Sequence, residues 1–105
     1  MVGYRRSHAK RRDVNEPAIV ASMRRLGAVV ILMDGKAGLP DLMVGYQGRT
    51  ILMEIKDPDS KWANRKSQRG VGGLDPDQAV FFAKWCGGPC LKIETVEEAI
   101  AALRS

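Results

Sequence analysis

Asp41 follows Pro40 at the head of an apolar stretch, PDLMVGY, and Glu54 and Lys56 interrupt a second one, RTILMEIK, with only Ile55 between them. Burying a charge is expensive unless a partner, a metal ion or water compensates it. Side chains on a strand alternate between its faces, so Glu54 and Lys56 point the same way, about 6–7 Å apart. Thr50 and Leu52 share that face, and Ile51, Met53 and Ile55 take the other. A two-residue turn at Gln47 and Gly48 would pair Tyr46 with Arg49 and set Asp41 opposite Glu54. Two carboxylates brought together repel unless a cation sits between them. Mg²⁺ is a hard ion that takes carboxylate and water oxygens, and Mn²⁺ is the alternative. A lysine beside such an ion can hold or deprotonate an attacking water, or stabilise charge on a phosphate. That is the chemistry of phosphodiester hydrolysis. The competing reading is a buried Glu54–Lys56 ion pair with Asp41 capping a turn. It explains Lys56 but not the acidic pair.

Around these residues, the chain reads as helix, three strands, helix, strand, helix. The first helix is expected from about Asp13 to Leu26, with Asp13 and Glu16 matching a capping box, although Pro17 lets the start slip towards Asn15 or Glu16. Ile19, Val20, Met23 and Leu26 form its apolar face, and Gly27 ends it. AVVILM (Ala28 to Met33) is a continuous apolar run and is expected to be a strand buried on both faces. Pro40–Tyr46 and Arg49–Lys56 should pair as an antiparallel hairpin. The second helix starts at Leu74 or Asp75, with Asp75 as N-cap, Pro76 at the first position and Gln78 completing a capping box. Phe81, Phe82 and Trp85 are its apolar face. Cys90–Glu94 is a short strand. Thr95 and Glu98 form a third capping box before a final helix lined by Val96, Ala99, Ile100 and Leu103.

Two further residues fall at positions that reach the same patch. Glu16 lies three, four and seven positions before Ile19, Val20 and Met23, so it shares their helix face. Gln78 stands in the same relation to Phe81, Phe82 and Trp85. Each could approach a metal or a phosphate, and each is also a satisfactory capping-box residue.

The composition, 45% hydrophobic and 28% charged over 105 residues, is that of one small globular domain. No apolar run approaches the length of a membrane span, and the basic N-terminus has no apolar segment behind it, so a cytosolic protein without a membrane partner is expected. The net charge of +5 is concentrated. Arg5, Arg6, Lys10, Arg11 and Arg12 precede the first acid, Asp13, so residues 1–12 read as a flexible basic arm on a body spanning 13–105. A second acid-free segment from Ser60 to Gly70 carries Lys61, Arg65, Lys66 and Arg69, together with Trp62, and leaves the sheet directly after Lys56. Such runs fit contact with a polyanion, or are simply solvated. Trp62 could stack on an exposed base or pack internally. Cys86 and Cys90 bracket CGGPC. Even with the one histidine in the chain they are one ligand short of a structural zinc site, and they read as reduced thiols flanking a turn.

Pro40–Asp41 followed by Glu54-Ile55-Lys56, on a hairpin between an acidic helix and a glutamine-bearing helix, resembles the PD-(D/E)xK nuclease motif. With the GLPDL lead-in, the order is similar to the virus-type replication-repair nuclease (VRR-NUC) branch, compact domains found alone in phages and bacteria and at the end of Fanconi-associated nucleases. The resemblance spans about Asp13 to Leu103. It implies a restriction-endonuclease-like α/β core, a mixed sheet flanked by helices in the order αβββαβα. It implies Asp41, Glu54 and the backbone carbonyl of Ile55 as metal ligands, Lys56 as the catalytic lysine, Glu16 as an accessory acid and Gln78 as the glutamine of the following helix. The expected activity is Mg²⁺-dependent cleavage of branched DNA by a Holliday-junction-resolvase-like homodimer in a bacterial or phage-infected cell. A flap or duplex nuclease of the same fold, or a non-catalytic basic binding module, are the alternatives.

Overall fold

A computed structural model describes residues 13–34, 36–59 and 73–105. Arg5, Arg6, Lys10, Arg11 and Arg12 of the basic arm, and Lys61, Trp62, Arg65, Lys66 and Arg69 of the basic loop, lie outside the described residues. The elements are α1 (Glu16–Arg25), β1 (Val29–Leu32), a 3₁₀ turn (Lys36–Gly38), β2 (Leu42–Tyr46), β3 (Arg49–Ile55), α2 (Pro76–Lys84), β4 (Cys90–Ile93) and α3 (Val96–Arg104). The four strands form one mixed sheet in the order β1-β2-β3-β4: the first three are mutually antiparallel and β4 runs parallel to β3. The protein is therefore α/β, and among the described residues no helix is long and apolar enough to cross a membrane.

The β2–β3 hairpin sets the register that matters. Gln47 (φ 49°) and Gly48 (φ 80°) both adopt positive φ, the backbone of the two-residue turn whose twist matches paired strands. Tyr46 then faces Arg49, and the ladder runs on to Leu42 opposite Met53. Alternation sends Leu42, Val44, Ile51, Met53 and Ile55 to one face. There they pack with Ile19, Val20 and Met23 of α1, Ala99, Ala102 and Leu103 of α3, and Val30 and Ile93 of the flanking strands. Each large side chain buried in this layer contributes about 1.5–3 kcal/mol. Arg49 ties the ends together by donating to the carbonyls of Ala102, Leu103 and Ser105 at the C-terminal end of α3.

Several expectations need correction. First, β1 is not buried on both faces. It is an edge strand, with Val30 alone buried and Val29 64% exposed. An apolar run does not reveal its place in a sheet, and among the described residues β1 has a neighbour on one side only. Second, Asp13 and Glu16 do not form a capping box. The helix begins at Glu16 with Asn15 at the N-cap position and no side-chain cap, because the Asn15 side chain is engaged elsewhere. Third, Phe81 and Phe82 are half-buried, Trp85 is exposed, and the buried residue of α2 is Gln78. The capping box of α2 is present in full, with Pro76 at its start. At α3, Thr95 Oγ1 accepts from Glu98 N, but the Glu98 carboxylate reaches back to Glu94 N rather than to the cap residue.

Candidate active site

Asp41 sits in a bend immediately before β2, one residue outside the ladder. The register sets it opposite Glu54, on the face that α1 and α3 do not cover. Both carboxylates are 2% exposed. Asp41 Oδ2 accepts from the Ile55 backbone N–H at 2.7 Å, taking the place of a ladder acceptor at the open end of the hairpin. The N–H and C=O of one strand residue point to the same edge, so the Ile55 carbonyl also faces the Asp41 side.

Glu54 Oε2 accepts from Gln78 Nε2 at 2.7 Å and lies 3.6 Å from Lys56 Nζ. Lys56 Nζ in turn donates to Gln78 Oε1 at 2.9 Å. The three side chains thus close a triangle, with the Lys56 side chain still 14% exposed. Gln78 does two jobs at once. Its Oε1 also accepts from Asp75 N at 3.0 Å, and its own N–H is received by Asp75 Oδ1 at 2.9 Å. The capping box fixes the amide's rotamer, and its other end reaches the sheet. The two readings of Gln78 are therefore one arrangement.

Glu16 is buried at the start of α1. Beside it, the Asn15 amide donates to the carbonyls of Lys56 and Glu94, at 3.0 and 2.9 Å. This clamp holds the start of α1 to the ends of β3 and β4, next to the point where Lys56 leaves the sheet. Sequence reasoning treats Asn15 only as a helix start; a polar residue that is not spent on its own helix was the signal. Gly38 is the second such residue. It has φ +81°, and a Cβ there would collide with the Asp77 carbonyl oxygen. Only glycine lets the 3₁₀ turn press against the first turn of α2, one residue from Gln78. Lys92 is the third: the β3–β4 register puts it beside Glu54, on the same face.

Cys90, beside Leu52 in the parallel pair, has its thiol pushed up to about 11, first by burial and then by the Glu54 carboxylate. Cys86 is exposed, and both thiols are free.

A hard divalent cation fits the donors in kind. Asp41 and Glu54 are both buried carboxylates, and Lys56 and Lys92 stand beside Glu54. Among the described residues no group of three or more His, Cys, Asp or Glu side chains is poised to hold a metal, and Glu16 is not drawn into such a cluster. The Ile55 carbonyl and water would have to complete the shell, as suits Mg²⁺, which keeps several waters. No known protein family, curated protein or solved structure matches the chain.

Proposed function

We propose that this protein is a Mg²⁺-dependent, structure-selective DNA endonuclease that hydrolyses phosphodiester bonds in branched DNA. The observation that carries the reading is the single buried patch in which Asp41 faces Glu54 while Lys56 is bound to Glu54 and Gln78. A structural ion pair has no use for the second acid, and a plain binding module has no reason to set carboxylates where phosphates would approach. The PD…EIK order and the restriction-endonuclease-like core that it implies point the same way.

Asp41, Glu54 and the Ile55 carbonyl would hold Mg²⁺, which when bound supplies a Lewis acid for a phosphate oxygen and lowers the pKa of a coordinated water. Lys56, partly exposed at the mouth of the patch, orients the attacking water and faces the charge that grows on the phosphate. Gln78 holds the ammonium in place through its carbonyl oxygen. Its amide N–H fixes the Glu54 carboxylate, so neither group has to reorganise during the reaction. Glu16 acts as an accessory acid beside the end of β3. Water adds to phosphorus in line and gives up a proton to solvent, one P–O ester bond breaks, and the leaving oxygen takes a proton from solvent. The basic arm and the basic loop would grip flanking phosphates. Symmetric cutting of a junction requires two such sites, which a C₂ homodimer supplies.

Labelled four-way, flap and linear DNA incubated with the protein, with and without Mg²⁺, tests the proposal. Lys56→Ala should slow Mg²⁺-dependent cleavage by roughly 10²-fold or more. Unchanged cleavage by that variant would overturn the chemistry, and equal rates on all three substrates would remove the junction preference.

A further inference from the structure

We propose that the aromatic end of α2 is a binding site for one unpaired base of the DNA strand next to the bond being cut; the location of that bond rests on the function proposed above. Phe81 and Trp85 stack with ring centroids 5.4 Å apart and planes 18° from parallel. The indole is 39% exposed, yet it is held on two sides. Its Nε1–H donates to the Gly88 carbonyl at 2.9 Å. Its ring edge lies so close to Gly87 that a Cβ there would come within 2.5 Å of Trp85 Cζ2. With the N–H satisfied within the protein, what the indole offers a ligand is its π surface.

The surroundings select a base over other flat apolar groups. Phe81 and Trp85 line a cavity of about 280 Å³ together with Val80, Lys84 and Asp77. Lys84 and Asp77 contribute one cation and one carboxylate to the cavity's lining, and Lys84 is the group that the phosphate of a bound nucleotide would meet. An apolar platform with one flanking ammonium complements a nucleotide, which is flat and apolar at one end and anionic at the other. Gln78 does not line this cavity, but it belongs to the same helix as the platform. Gln78, Phe81 and Trp85 occupy one side of α2 at intervals of three and four residues. Trp85 is about 10 Å along the axis from Gln78, given the helical rise per residue. A strand whose phosphate lies at Lys56 would reach the aromatic pair within a few nucleotides. Bases inside a duplex are already stacked, so the site favours a strand whose bases are unpaired, as at a branch point.

Trp85 can be read directly. The chain has two tryptophans, so in a Trp62→Phe background the remaining fluorescence belongs to Trp85. Titration in metal-free buffer should show quenching by single-stranded oligothymidylate, and little by the same backbone with abasic positions. Equal quenching by both strands, or by neither, would overturn the base site. Gly87→Ala, which keeps the indole but puts a methyl group where its edge lies, should weaken binding on the order of 10-fold. Wild-type affinity in a folded Gly87→Ala protein would also overturn the site. The two proposals fail separately. Base-dependent quenching without Mg²⁺-dependent cleavage leaves the site standing and removes the nuclease; cleavage without base-dependent quenching does the reverse.

Discussion

Asp41 has two roles that a single substitution can separate. Its carboxylate takes the Ile55 N–H as a structural acceptor, and its charge is what a cation would need. Asp41→Asn keeps an oxygen at the same place and removes the charge. The variant should fold, with stability within ~1 kcal/mol of the parent, since a neutral acceptor replaces a charged one. Mg²⁺ should raise the melting temperature of the parent, because an ion that binds only the folded state stabilises it in proportion to the logarithm of its concentration over Kd. The Asn variant should show no such rise; an equal Mg²⁺ shift in both would take Asp41 out of the ligand set. The two thiols give a second contrast, to be read in metal-free buffer. Near neutral pH, exposed Cys86 should be alkylated quickly and Cys90 slowly, since the thiolate is the reactive form. The sign for stability follows. Above 9.0 the unfolded thiol loses its proton while the folded one keeps it to about 11, so the Cys90 contribution to stability falls as pH rises between those values. Unfolding midpoints that rise across this range relative to those of Cys90→Ala would contradict it.

At the scale of elements, α2 bears on the site through one residue, and its seat depends on a glycine far from it in sequence. Gly38→Ala would set a methyl group against the Asp77 carbonyl in a backbone conformation that alanine resists. We expect a loss of about 1–3 kcal/mol, the usual range for strain of this kind, measurable by chemical denaturation. Cleavage should fall further than stability explains, because Gln78 moves with its helix. A variant with parental stability and activity would show that the turn does not seat α2. The same elements show what was legible. The hairpin, its register and the capping box of α2 follow from Gly48, Asp75, Pro76 and Gln78, whose effects act over a few residues. The exposure of β1 does not. Val29 and Ile31 carry the composition of a central strand, and only the absence of a further strand beyond β1, among the described residues, leaves them at the surface.

For the molecule as a whole, the distribution of charge predicts how it would hold the DNA of the proposed reaction. Five bases precede the first acid, and four more stand between Ser60 and Gly70. Binding to DNA should weaken steeply with salt and show little sequence preference. Replacing Lys61, Arg65, Lys66 and Arg69 by alanine should reduce the slope of log K against log salt by up to ~0.9 for each phosphate that is no longer neutralised. An unchanged slope would exclude the loop from the interface.

Taken alone, the sequence determined which residues share a strand face, the hairpin register that runs towards Asp41 and Glu54, and that Gln78 completes the capping box of its helix. Those are consequences of the two-residue strand period, of helical spacing and of a tight turn, all of which act locally along the chain. Tertiary structure alone decided that the Gln78 amide reaches Glu54 and Lys56, that Asn15 clamps the ends of β3 and β4, and that Trp85 stands exposed against Phe81. Each of these depends on which surfaces meet across many residues of separation. Burial there is settled by competition among all the faces, and local pattern cannot register it.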